Sequence, residues 1–138
     1  MRAIPLLPNQ YYHLYNRGVD HNPIFFLPEN WSFFLRRLRQ YFATSHASII
    51  AYCLMPNHFH LYLRTEQANL SRFMQSLLTS YTVFVNRRDH SSGHIFQGRF
   101  KALVVEDGTA LLAVVNYIHL NPVRAGLVTV RDLREYAM

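Results

Sequence analysis

Two short patterns in this chain could do chemistry together. The first is His58-Phe59-His60. Side chains alternate across a strand, so His58 and His60 share one face while Phe59, Leu61 and Leu63 share the other. Two residues of strand rise separate the histidines by ~6.5 Å at their bases, close enough for both imidazoles to converge on one ion. The second pattern is Ala110, Ala113, Tyr117 and Asn121, whose spacing puts them on one face of a helix. Leu111, Val114, Val115 and Ile118 supply that helix's apolar stripe, so Tyr117 and Asn121 are neighbours away from it. Asn121 offers a carbonyl oxygen as a ligand, and Tyr117 offers a phenol as a nucleophile. Each pattern alone has an ordinary reading: incidental histidines, and a Tyr and an Asn that end a helix before Pro122. Together they describe two imidazoles and an amide oxygen around a divalent ion, with a tyrosine beside it. That set suits attack on a phosphodiester. The ion polarises the phosphate and stabilises the developing charge, and the tyrosine holds the product covalently.

The charge points the same way. Fourteen basic residues against eight acidic ones give +6, and the pI is near 9.8. All the basic residues but Lys101 are Arg, whose planar fork grips phosphate with two hydrogen bonds and stacks on bases. Such a balance is the footprint of a nucleic-acid partner, against the plainer reading of an Arg-rich proteome. With 50% hydrophobic and 16% charged residues the chain is no disordered segment. Its single cysteine, Cys53, excludes an internal disulfide framework and four-cysteine zinc sites. No apolar run approaches the ~20 residues that span a bilayer. The opening Met1-Arg2-Ala3-Ile4-Pro5 is too short and Pro-broken for a signal peptide. The expectation is a cytoplasmic protein with no membrane partner.

These residues need elements to position them. Tyr11 to Asn16 is a Tyr-rich strand. Pro28-Glu29-Asn30 opens a helix with an apolar stripe of Trp31, Phe34, Leu35, Leu38, Tyr41 and Phe42. Ser48 to Met55 and His58 to Thr65 read as a hairpin about Pro56-Asn57. A helix from Leu70 to Asn86 follows, with Tyr81 on its apolar face, then a polar loop and a fourth strand over Phe100 to Glu106. Asp107 or Thr109 caps a last helix that runs to about Leu120. The order β-α-β-β-α-β-α predicts an α+β, ferredoxin-like or RRM-like fold, an antiparallel sheet with helices on one face. The His58–His60 face is then the open one. The expected organisation is one domain over 1–138, with a core over about 11–128 and a short basic tail.

Four blocks carry a resemblance. They are Tyr12-His13-Leu14-Tyr15-Asn16-Arg17-Gly18, Tyr52-Cys53-Leu54-Met55-Pro56-Asn57-His58-Phe59-His60-Leu61, Gly93-His94-Ile95-Phe96-Gln97-Gly98-Arg99-Phe100-Lys101, and Tyr117-Ile118-His119-Leu120-Asn121-Pro122-Val123-Arg124-Ala125-Gly126-Leu127. In that order they resemble the REP-associated tyrosine transposases, a branch of the single-tyrosine HUH, insertion-sequence-like transposases. The resemblance implies His58, His60 and Asn121 as metal ligands and Tyr117 as the nucleophile. It implies Mg²⁺ or Mn²⁺ in use, although two imidazoles would also suit Zn²⁺. It implies a single-stranded, hairpin-forming substrate of the repetitive extragenic palindrome type. Cleavage would leave a 5′-phosphotyrosine link and a 3′-hydroxyl able to rejoin strands. Relatives include dimers that exchange the tyrosine helix as well as monomers, and both states stay open here. Many relatives carry a longer segment after the last block, where this chain has Thr129 to Met138.

Arg17, Arg99, Lys101 and Arg124 lie inside these blocks and are the candidate phosphate contacts. Tyr62 shares the strand face of His58 and His60 and is a candidate to stack on a base, with Tyr15 beside it. His13 could face either side of its strand. Two other readings stand beside the metal-dependent transesterase: a non-catalytic single-stranded nucleic-acid-binding module on an RRM-like sheet, and a small Zn²⁺ hydrolase.

Overall fold

Strand β1 (Gln10–Arg17) and strand β3 (His58–Thr65) form the centre of a four-stranded sheet of order β2-β3-β1-β4. Strand β2 (Ala47–Met55) flanks β3 and the short β4 (Lys101–Val104) flanks β1. Every pairing is antiparallel. The computed structural model describes residues 7–43, 47–66 and 70–105. Helix α1 (Pro28–Phe42) connects β1 to β2, and α2 (Leu70–Arg88) lies between β3 and β4. Strands β1 and β2 run parallel with β3 between them, which is the split β-α-β arrangement of the expected α+β fold. The expected last helix, with Tyr117, Asn121 and Arg124, lies outside the described residues.

Period-two alternation explains which face holds the helices. Phe59, Leu61 and Leu63 of β3 join Tyr12 and Leu14 of β1 in one cluster with Phe34 and Leu38 of α1 and Met74, Leu77 and Tyr81 of α2. Phe34 meets Phe59 at 5.4 Å and Tyr81 edge-on at 5.4 Å. Trp31 Nε1 donates to Leu54 O at 3.1 Å, which ties α1 to β2.

Helix α1 starts on Pro28, where a missing N–H costs nothing. Asn30, two residues on, accepts from the Leu27 N–H through Oδ1 at 3.3 Å. Asn30 is wholly buried and does more than cap. Its Nδ2 donates to Tyr81 Oη at 2.8 Å and to Ile24 O at 3.3 Å, and its Oδ1 accepts from Arg88 Nη1 at 2.8 Å. The Tyr81 hydroxyl in turn donates to Ile24 O. One amide thus joins the entry loop, α1 and both turns of α2 that face it. Arg88 also chelates Asp89 and covers Phe84, so α2 runs two residues past the expected Asn86.

Asn30→Ala removes the buried donor to Tyr81 Oη and Ile24 O, and the acceptor of Leu27 N and Arg88 Nη1. It is expected to cost about 1–3 kcal/mol in chemical denaturation. A change of a few tenths would mean that the amide is not holding the two helices.

Candidate functional site

The register of β1 against β3 assembles the site. Arg17 stands opposite His58, Tyr15 opposite His60, His13 opposite Tyr62 and Tyr11 opposite Arg64. Directly opposed residues point to the same side. That side faces away from α1 and α2, which pack on Tyr12, Leu14, Phe59, Leu61 and Leu63. On β2, Cys53 stands opposite His60, and on β4, Lys101 stands opposite Tyr15.

His58 and His60 come together as the spacing requires, with ring centroids 5.1 Å apart and planes at 88°. Asn57 Oδ1 lies 2.7 Å from His58 Nδ1. A carbonyl oxygen only accepts, so Nδ1 carries a proton, and in the neutral ring Nε2 has the lone pair. His13 faces the site: its Nε2 is 3.0 Å from His60 Nδ1. Tyr15 packs against both rings, at 5.4 Å and 6.0 Å.

This face is not open at its middle. His13, His60 and Cys53 are buried, and Tyr62 has no exposed surface. Long rings from adjacent strands lean on one another: the Tyr11 ring stacks on Tyr62 with centroids 6.1 Å apart and planes at 11°. Tyr62 therefore has no surface for a nucleic-acid base, which corrects the expectation placed on it. The exposed ring at that spot is Tyr11, with the Arg64 guanidinium 6.0 Å from it. The Tyr62 hydroxyl finds no hydrogen-bond partner among the described residues, and burial pushes its pKa up.

Burial also sets the charge states. The His60 pKa is pushed down to about 3, first by burial and then by His13 and His58. Burial lowers His13 too, and it raises the Cys53 thiol to about 12. His13 and His60 are thus neutral at pH 7, the state in which a nitrogen lone pair can bind a cation. Among the described residues no three His, Cys, Asp or Glu side chains converge to hold a metal. Two imidazoles, each with Nδ1 engaged by a side chain, still fit a divalent ion that draws further donors from elsewhere.

The surface opens at the His58 end. A cleft of ≈ 590 Å³ there is lined by Tyr15, Asn16, Arg17, His21, Asn57, His58, Gln97 and Lys101. Arg17 Nε donates to Gln97 Oε1 at 2.9 Å and Nη1 donates to His21 Nε2 at 3.1 Å, which fixes the guanidinium's orientation. Among the described residues neither Arg17 nor Lys101 pairs with a carboxylate; the ion pairs there are Arg64–Glu66 and Arg88–Asp89. Two cations with no carboxylate partner among the described residues therefore share a cleft with His58. Arg99 is exposed just before β4 and does not line it. His21, Gln97, Asn16 and Asn57 escaped the sequence reading. Only Asn57 had a local signal there, as the turn residue before His58.

The floor of the cleft is held by backbone. Pro56 O accepts from Ile24 N at 2.7 Å and Phe25 N at 3.0 Å, and Asn57 O accepts from Gly18 N at 2.9 Å. Gly18 is needed because a Cβ there would stand 2.1 Å from Asn22 O. Gln97 N donates to Arg17 O at 2.9 Å, bringing its side chain to the arginine.

With this geometry in place, comparison with known proteins is decisive at family level. A family model described as IS200-like transposase matches residues 7–121. The chain belongs to the IS200-like transposase family. A solved REP-associated tyrosine transposase, bound to a REP hairpin, shares the fold with a TM-score of 0.74 at 16% identity, covering 100% of this chain and 87% of that one. A putative transposase from Deinococcus radiodurans R1 gives 0.56 at 18% identity, covering 82% and 92%. No curated protein matches. As in the sequence, no described helix of this transposase is long and apolar enough to cross a membrane.

The buried histidine makes the metal-free transposase acid-sensitive. Unfolded, His60 takes a proton near its ordinary 6.5, while the folded chain refuses it until about 3. The unfolded state therefore binds more protons across that window, and stability present above pH 6.5 is lost as pH falls through it. The melting temperature of metal-free protein is expected to drop by more than ~5 °C between pH 7 and pH 4.5. His60→Gln should flatten that slope in scanning calorimetry, and an unchanged slope would place the acid sensitivity elsewhere.

Proposed function

We propose that this transposase is a metal-dependent single-stranded DNA endonuclease and strand transferase acting through Tyr117. The reading rests above all on one observation: His58, whose ring meets that of the neutral His60, lines a cleft whose cations, Arg17 and Lys101, have no carboxylate partner among the described residues. His58, His60 and Asn121 would hold Mg²⁺ or Mn²⁺. When bound, such an ion neutralises charge building on the scissile phosphate.

The chain's own residues do the rest. Arg17 and Lys101 seat the phosphate in the cleft, and Arg99 and Arg124 hold the flanking backbone. The Tyr117 phenol gives its proton to solvent, and its oxygen attacks phosphorus. An O–P bond to the 5′-phosphate forms as the bond to the 3′-oxygen breaks, and the 3′-oxygen takes up a proton. One phosphoester replaces another, so no external energy source is needed. The liberated 3′-hydroxyl reverses the step on a second phosphotyrosine and joins new strands. The solved relative carries a REP hairpin, which favours hairpin-forming DNA as substrate. Exposed Tyr11, rather than Tyr62, is the ring offered to an unpaired base.

The test is a covalent-adduct assay. Labelled hairpin DNA with an unpaired flank is incubated with protein and Mn²⁺, Mg²⁺ or EDTA, then run on a denaturing gel. A metal-dependent shifted band is expected, absent in Tyr117→Phe and in His58→Ala. Tight binding with no band under any metal would leave a binding module without catalysis.

A second measurement addresses the cleft. Arg17→Ala should weaken hairpin binding and reduce the slope of log K against log salt by about one. An unchanged slope would remove Arg17 from the phosphate contacts.

A further inference from the structure

Two imidazole nitrogens 3.0 Å apart share one proton, and the ring that owns it decides what His60 can bind. His13 Nε2 and His60 Nδ1 are that pair. The rings are 7% and 6% exposed, with centroids 5.1 Å apart. A neutral imidazole has one N–H and one lone pair. Were His13 the donor, the His60 lone pair would sit on Nδ1, and Nε2 would carry hydrogen and could not ligate. With His60 as donor, the lone pair is on Nε2.

At His58 the same question is settled by Asn57, whose Oδ1 can only accept. The two histidines thus have matching supports, a turn amide for one and an imidazole from β1 for the other. The register places His13 diagonal to His60, and Tyr15, directly opposite His60, packs on both rings. The contact is therefore built by the two central strands and is buried within them.

We propose that His13 is a positioning residue: its Nε2 accepts the His60 Nδ1–H and so selects the tautomer that presents a Nε2 lone pair to a divalent cation. The proposal rests on the metal reading given above. Such supports behind a ligand histidine fix its ring and raise its basicity, and removing one commonly costs 10–100-fold in metal affinity.

The tautomer is read first, without metal, by ¹⁵N NMR of the full chain labelled at histidine. His60 is expected with hydrogen on Nδ1; hydrogen on Nε2 in the wild type overturns the proposal. Mn²⁺ affinity is then measured by the electron paramagnetic resonance signal of unbound Mn²⁺. His13→Leu should bind Mn²⁺ about 10–100-fold more weakly, whereas His13→Gln, which keeps an acceptor oxygen, should recover much of the loss. Equal affinity in His13→Leu and wild type overturns the proposal. A wild type that binds no Mn²⁺ sinks the metal reading instead, and the His60 tautomer still decides the part assigned to His13. Where His13→Leu fails to fold, the wild-type tautomer decides alone.

Discussion

The eight-residue register between β1 and β3 is the constraint on which the rest of the structure depends. It aligns Arg17 with His58, Tyr15 with His60 and His13 with Tyr62. Strand side chains have a period of two, so a slip of one residue would exchange the whole histidine face for the Phe59, Leu61 and Leu63 face. The apolar set forbids that slip, because it is locked under Phe34 and Tyr81. The core thus fixes the chemistry from behind: what α1 and α2 hold on one side determines which residues meet on the other.

Burying polar groups in the centre of a sheet is costly unless each has a partner. Here the partners are mostly one another. His13 holds His60, Asn57 holds His58, and Tyr15 packs against both buried imidazoles. The rim obeys a different rule. Arg17 is oriented by Gln97 and His21, neither of them a carboxylate, and among the described residues its charge is aimed without being cancelled. A neutral interior beside a cationic rim that no described carboxylate neutralises is an arrangement that an anionic chain completes.

Local patterns in the sequence identified what local physics controls. Alternation put His58 and His60 on one face, the apolar stripes located both helices, and Pro56-Asn57 marked the hairpin. The misses are long-range. His13 could not be assigned a side, because only pairing with β3 shows which face of β1 meets the histidines. His21 and Gln97 reach Arg17 through loop backbone, His21 from a left-handed conformation at φ 60, and no periodicity announces that. Tyr62 was given the right face and the wrong exposure, since alternation says which way a side chain points and not what lies on it. Strand β4 is shorter than its apolar run, Lys101–Val104 rather than Phe100 to Glu106, and Val105 N still donates to Tyr11 O beyond its end.

Cys53 gives the sheet a built-in reporter. It is the chain's one thiol, 2% exposed, opposite His60 and held protonated by its surroundings. Alkylating reagents attack the thiolate, so the folded protein should be silent towards them. Any labelling then counts excursions in which β2 and β3 part beside the histidines. The chain carries its own clock for how often its centre opens.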